Sequence, residues 1–349
     1  SCHLTAALPG SRMITGKPEA WQAALYYICL SVSLLFLWKR KKRQEAEKEE
    51  KGRKERSGIW TAAAVLLLWC AGTAALLYPS GRDGTLAVTV LDVGQGDGIF
   101  IRDPEGGTYL IDGGSSTEDQ VGRYRIEPFL KAEGEDRIDY VLITHGDLDH
   151  YSGVEELIER REQGIAIGAL VLPPERFWEE QLEGLARKAG KEGIPVLVIK
   201  PGQELTGGGM RLTCLQPGED FPGEPGNGAS MVLAIQYKAF DLLLTGDVEG
   251  EGEEALTQIL TESYAETSWD VLKTSHHGSG NSTGKAFLEA VRPACSIISA
   301  GINNRYGHPH PDTLKRLTEA GSQIYSTTDS GAIEIRTDGK TLTITGFCG

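Results

Sequence analysis

Histidine, cysteine and positive charge are all scarce in this chain. The six cysteines of its 349 residues (Cys2, Cys29, Cys70, Cys214, Cys295 and Cys348) are scattered and form no CxxC pair, so nothing specifies a disulfide framework. The formal net charge is −14, which excludes the broad basic footprint of a tight duplex binder. No internal repeat is visible. A cleaved signal peptide is excluded as well, because the basic residues follow the first apolar run and no small-residue cleavage pattern occurs. There are only seven histidines, yet six fall in three tight groups at 145/150, 276/277 and 308/310.

Long uncharged runs are confined to the first quarter of the chain. Trp21 to Trp38 and Ile59 to Tyr78 are apolar, carry Trp or Tyr near their ends, and are about long enough to cross a bilayer. Buried core helices are the competing reading, but neither run offers a polar face. Between them, residues 39–56 hold ten basic and five acidic side chains. A short basic loop between two spans is retained on the cytoplasmic side, which puts the chain after about residue 80 outside. The expected organisation is an external end at 1–20, a transmembrane hairpin at 21–80 with its cytoplasmic loop at 39–56, and one large domain at 81–349. A start at Ser1 rather than Met suggests a piece of a longer membrane protein.

From Thr85 onward, short β-rich runs separated by Gly/Asp turns alternate with helical patterns. The runs extend from Leu86–Leu91 to Thr341–Thr345, with helices expected at Gly153–Arg161, Glu175–Ala189, Glu251–Glu262, Lys285–Val291 and Pro311–Glu319. Sheets with helices packed outside them are the implied α/β architecture.

The chemistry concentrates at strand ends. Thr144-His145-Gly146-Asp147-Leu148-Asp149-His150 follows the apolar run Ile138–Ile143 and packs two imidazoles and two carboxylates into six residues. On a loop after a buried strand, that set points to a binuclear hydrolytic metal site rather than a solvated loop with stray histidines. Phe240–Asp247 is a second buried strand ending in a carboxylate. Asp270–Ser279 is a third, releasing His276 and His277 before a glycine. Asn304-Arg305-Tyr306-Gly307-His308-Pro309-His310 follows a fourth. Taken alone, a His-Pro-His is more often a surface loop than a ligand set. In Leu91–Asp97 and Ile111–Gly114 the glycines permit close backbone approach, and tight turns are as good a reading as a direct role for Asp92, Gln95, Asp97 or Asp112.

The succession Asp-Gly-Gly, His-x-Asp-x-Asp-His, strand-end Asp and His-His-Gly resembles the metallo-β-lactamase superfamily. Within it, LDVGQGD, THGDLDH, TGD, SHHGS and NRYGHPH resemble the C-terminal domain of the ComEC family, the DNA-uptake channels of natural competence. The resemblance implies a four-layer αββα sandwich behind a two-helix transmembrane hairpin, with a dinuclear site at the rim of two facing sheets. It assigns His145 and Asp147 to one metal and Asp149 and His150 to the other, with Asp247 bridging. His277 completes the second set, with His276 as the open alternative. It also implies phosphodiester hydrolysis. Asp149 positions or deprotonates water, and His276 and His308 face the phosphate. Asn227, Ser230, Lys273 and Ser279 line the substrate.

Two departures stand out: Asp147 occupies a position where the superfamily usually has histidine, and no histidine lies between His150 and His276. An oxygen-rich first site favours Mn²⁺ over Zn²⁺, though Zn²⁺ stays open. The implied partners are DNA, single-stranded or incoming double-stranded, the remaining transmembrane part of the same channel protein, and a membrane DNA receptor that delivers the substrate. The rival readings are a phosphodiesterase or esterase acting on cell-envelope small molecules, and a non-catalytic channel module with a structural metal.

Overall fold

The protein is described here by a computed structural model covering residues 14–49, 57–78, 83–161 and 164–348. The expected external end to residue 13, with Cys2, and the basic loop over 50–56 lie outside the described residues. The chain divides into two compact units.

The first unit contains helices α1 (Ala20–Glu49) and α2 (Ser57–Leu77). Both are long and apolar enough to cross a membrane, over Ala20–Arg43 and Trp60–Leu77. Their large apolar side chains, among them Tyr27, Trp60 and Leu67, are exposed, as expected for rings and chains that face lipid rather than protein. Helix α1 runs beyond Trp38 into the basic run, because Lys, Arg, Gln, Glu and Ala are all good helix formers. The two helices form an antiparallel pair. Buried Gln22 donates from Nε2 to the carbonyls of Ala75 and Tyr78, both at 2.8 Å. Gly72 lets the backbones approach, since a Cβ there would sit 3.3 Å from Cys29 Cβ.

Two mixed sheets build the second unit. One comprises β1 (Leu86–Val90), β2 (Ile99–Arg102), β3 (Thr108–Ile111), β4 (Arg137–Leu142), β5 (Ala166–Leu172), β6 (Val196–Val198), β14 (Ile333–Thr337) and β15 (Leu342–Gly346). The other comprises β7 (Glu204–Gly207), β8 (Met210–Gln216), β9 (Val232–Tyr237), β10 (Phe240–Leu244), β11 (Val271–Lys273), β12 (Cys295–Ile298) and β13 (Gln323–Ser326). Their orders are β15-β14-β1-β2-β3-β4-β5-β6 and β13-β12-β11-β10-β9-β8-β7.

The main core lies between the sheets. Leu86, Val88, Ile99, Ile101, Ile111 and Leu142 from one sheet meet Leu212, Leu233, Ile235, Leu242, Leu244 and Val271 from the other. The opposite face of the second sheet is apolar too, because Val232, Ala234, Leu243 and Leu272 are covered by α6 (Glu251–Ser263), α7 (Lys285–Val291) and α8 (Pro311–Glu319). A strand buried on both sides needs a nearly continuous apolar run, which the sequence of β9 supplies. Helices α4 (Leu148–Arg160) and α5 (Glu180–Lys191) bury Val154, Leu157 and Ile158, and Leu182, Leu185 and Ala189, in the same unit. A shorter helix, α3, spans Glu127–Ala132, and α9 spans Thr327–Ser330.

Each sheet changes from antiparallel to parallel pairing along its width, with β3 to β6 parallel in one and β10 to β13 parallel in the other. The chemistry-bearing segments leave the carboxyl ends of β3, β4, β10, β11 and β12, where open parallel sheets characteristically place ligand sites. Several elements differ from the sequence reading: the helix expected at Glu175–Ala189 is a 3₁₀ turn at Glu175–Phe177 followed by α5 from Glu180, and short α9 was not expected. Strand β7 was not expected; it is a short, half-exposed edge with little apolar signal. Helix α3 was missed for its shortness. Helix α4 starts at Leu148 rather than Gly153, so Asp149 and His150 sit in a first helical turn rather than on a loop.

Candidate metal centre

The DLDH segment is locked in place by backbone contacts that only glycine permits. Gly113 N–H donates to the His150 carbonyl at 2.7 Å, Val154 N–H to the Gly113 carbonyl at 3.1 Å, and Asp97 N–H to the Asp149 carbonyl at 3.0 Å. A Cβ on Gly114 would lie 2.5 Å from backbone atoms of Leu148, Asp149 and His150. The glycines of both upstream turns therefore serve close approach to the start of α4.

Three imidazoles converge from the two sheets, and each has its Nδ1 engaged from behind. His150 Nδ1 donates to Asp112 Oδ2 at 2.8 Å, and His277 Nδ1 to the Ser299 carbonyl at 3.1 Å. Both partners only accept, so the proton of each neutral ring sits on Nδ1 and Nε2 is left as a free lone pair. His145 Nδ1 meets Thr144 Oγ1 at 3.0 Å and Ser230 Oγ at 3.3 Å. The three Nε2 atoms, together with Asp247 Oδ1, are buried without a hydrogen-bond partner. Unpaired buried polar atoms are costly, and several converging on one place call for an occupant.

Asp247, at the end of β10, is the hub. Its Oδ2 is 3.2 Å from His150 Nε2, 3.3 Å from His277 Nε2 and 3.8 Å from His276 Nε2. Asp149 Oδ2 lies 3.5 Å from His277 Nε2, and Asp147 Oδ2 3.6 Å from His145 Nε2. Ligand atoms of His145, His150 and Asp247, and again of Asp149, His150 and His277, fall within 4.8 Å of one another. That donor set, three aromatic nitrogens with at least three carboxylates, fits divalent cations.

The electrostatics agree. Burial disfavours charge on His150, yet Asp247 and Asp112 outweigh it and raise the ring well above its usual range. Burial is likewise overcome at His277, chiefly by Asp247 and Asp97. Asp247 responds in kind: burial opposes its charge, but His277 and His150 hold it well below the usual carboxylate range. The cluster favours positive charge at its centre.

The other expected residues take varied places. His276 is half-buried, with Nδ1 3.0 Å from Glu249 Oε2. His308 closes the far side, its ring centre 5.4 Å from that of His276. Burial, with His276 and His277, pushes His308 down to about 4, so it is neutral at pH 7 and offers a hydrogen bond rather than charge. Lys273 does not face the opening. It is 1 % exposed and committed to Asp97 Oδ2 and the Thr274 carbonyl. Ser230 is fully buried and accepts from Asp247 N–H at 3.2 Å while touching His145. Asn227 binds Glu249 at 3.3 Å, and buried Ser279 caps the Asn281 N–H. Asp112, Thr144, Asp97 and Glu249 hold these groups from behind, and none of those roles was assigned from sequence. Strand-end Asp112 and Asp97 were visible as candidates, but a sequence does not say which way a turn points its carboxylate.

The description "Metallo-beta-lactamase superfamily" matches residues 91–302.

The chain belongs to the metallo-β-lactamase superfamily.

Among full-length proteins, it is 33 % identical over 262 residues to ComE operon protein 3 of Bacillus subtilis, covering 71 % of this chain and 33 % of that protein. It is 30 % identical over 272 residues to Competence protein ComA of Neisseria gonorrhoeae, covering 78 % and 35 %. The chain thus spans about a third of the length of these relatives. The crystal structure of the metallo-beta-lactamase fold protein YhfI from Bacillus subtilis superposes with a TM-score of 0.48 at 13 % identity, covering 72 % of this chain and all of that one.

Proposed function

We propose that this superfamily member is the hydrolase-bearing part of a membrane DNA-uptake protein and that it cleaves phosphodiester bonds of incoming DNA. The observation that carries the hydrolase reading is the set of three buried, partnerless imidazole Nε2 atoms facing Asp247. The similarity to two competence proteins supports the choice of DNA.

His145 and Asp147 on one side, and Asp149, His150 and His277 on the other, would hold two divalent cations with Asp247 between them. His277 is preferred over His276 because its Nε2 is buried and free, whereas His276 is tied to Glu249 and half open. The oxygen-rich set favours Mn²⁺ over Zn²⁺. Cations bound there supply electrophilic stabilisation of charge on the phosphoryl oxygens. Around them, Asp149 orients water. Burial works against its charge, but His277 and His150 keep it below the usual carboxylate range, so it is a weak proton acceptor and a better positioning group. Burial disfavours charge on His276, but Glu249 and Asp247 override it and raise the ring above its usual range, which suits His276 to donate to the phosphate. His308 adds a neutral hydrogen bond. Asn227 and Ser279 border the substrate path, while Ser230 and Lys273 support the groups that line it.

The acidic net charge of −14 is best met by a separate membrane receptor that delivers DNA. The basic segment after the first span favours the cytoplasm, which supports an external hydrolase unit.

The test is incubation of the full chain in detergent with labelled single-stranded DNA and Mn²⁺. Cleavage should fall by about a hundredfold or more in Asp149→Ala. Cleavage of a chromogenic phosphodiester but not DNA would move the reading to an envelope phosphodiesterase. Cleavage of neither would make the metal structural.

A further inference from the structure

From the cluster toward solvent, the loop between β12 and α8 carries a column of rings. The centres of His277 and His308 are 6.4 Å apart, and Tyr306 stacks on His308 at 5.7 Å with 26° between the planes. Arg305 lies over Tyr306, its guanidinium carbon 4.9 Å from the ring centre, and donates from Nη2 to the Tyr306 hydroxyl at 2.8 Å. Tyr306 is 45 % exposed, and Ile302, earlier in the same loop, is 70 % exposed. Neither belongs to a core cluster. Leu148, between Asp147 and Asp149, is another exposed apolar side chain beside candidate ligands.

This loop holds a fixed shape. Asn304 Oδ1 accepts from the backbone N–H of Tyr306 at 3.1 Å and of His308 at 3.0 Å, and its Nδ2 donates to the Gly301 and His308 carbonyls. Folding thus orders an aromatic ring that contributes nothing to the core and holds it half open, one ring away from the cluster. Such a ring is suited to a flat ligand.

We propose that Tyr306 is a stacking platform for a nucleobase of single-stranded DNA, with Arg305 exchanging its place over the ring for the flanking phosphate. This rests on the phosphodiesterase reading and deepens it by naming the form of strand the site takes. A base can reach the ring only when it is out of a duplex stack, so the platform selects unpaired DNA. Every base has a π face, so the contact tolerates any sequence. It also supplies affinity without a basic surface, which suits a chain of net charge −14. Arg305 is exposed, lies over the ring, donates to its hydroxyl and feels the more distant charge of Asp149, so no buried contact stops it from changing partner.

The experiment measures anisotropy of the full chain in detergent with a hydrolysis-resistant phosphorothioate strand, and with an abasic strand of the same length and backbone. The base-bearing strand should bind about tenfold more tightly. Tyr306→Ala should remove that difference without changing abasic binding, and Tyr306→Phe should keep it. Equal binding of both strands by the unaltered chain, or equal weakening of both by Tyr306→Ala, overturns the platform. Cleavage of an unmodified strand with Mn²⁺ is read separately. Tyr306-dependent binding without cleavage supports the platform and defeats the hydrolase reading.

Discussion

Replacing Asp112 by Asn tests the logic of the centre most directly. Asp112 Oδ2 accepts from His150 Nδ1 at 2.8 Å and from Thr144 Oγ1 at 2.8 Å, while Oδ1 accepts from Thr144 N–H at 2.8 Å. All three groups are buried. Asparagine has the same shape and can keep the bond from Thr144 N–H through its oxygen, but its amide then presents N–H groups to His150. The imidazole must accept at Nδ1, which moves its proton to Nε2, the atom that faces Asp247. A metal could no longer use that lone pair without a costly rearrangement. Loss of such an outer partner ordinarily weakens metal binding by about 10–100-fold, or roughly 1.4–2.8 kcal/mol. Mn²⁺ titration followed by the EPR signal of the free ion gives the affinity. Asp112→Ala is the informative contrast: it leaves Thr144 N–H unsatisfied, at about 1–3 kcal/mol of stability, but does not force the wrong tautomer. If Asp112→Asn binds Mn²⁺ as tightly as the parent chain, the assignment of His150 Nε2 to the metal is wrong.

Lys273→Met should strip buried Asp97 of its main counter-charge, leaving only the His277 ring beside it, and cost about 3–5 kcal/mol, a drop in melting temperature of about 10 °C, while the double change with Asp97→Asn should regain most of it. Thermal unfolding checks this, and a loss under 0.5 kcal/mol in the single variant would refute the pairing. The metal-free and metal-loaded proteins should respond to pH in opposite directions. His150 and His277 are raised in the folded metal-free state, so their contribution is complete below the ordinary histidine value and disappears as pH climbs through the raised values. Metal must displace those protons, so its affinity should strengthen over the same climb, with protons released on binding. Calorimetry in buffers of different ionisation enthalpy measures that release. Gly114→Ala should abolish high-affinity metal binding, since its methyl meets backbone on α4 that cannot yield, and circular dichroism with a Mn²⁺ titration reports both effects.

Much of the fold was legible because its strands are short apolar runs with turn residues between them, and because the ligand candidates are rare residue types packed at strand ends. His145 and His150 stood out as candidates on those grounds, whereas Asp247 and the preference for His277 over His276 needed the family resemblance. What could not be read was direction. Lys273 looks like a phosphate-binding cation in sequence, but it ends a strand whose side chain points into the unit, where Asp97, 176 residues away, neutralises it. Ser230 looked like a substrate contact and turned out to brace His145 and Asp247. The start of α4 was placed late because Asp and His are poor helix formers, and what makes them helical here is docking onto Gly113 and Gly114, a long-range effect.

The division of the centre between two sheets has a further consequence. His145, Asp147, Asp149 and His150 follow β4 in one sheet, whereas Asp247 and His277 follow β10 and β11 in the other. Neither half holds the complete set of ligands around Asp247. A nascent or partly closed chain would therefore lack the assembled centre, which would form only on completion of folding. Once loaded, the same ions would rivet the sandwich shut, so chelation should loosen both sheets together rather than one loop.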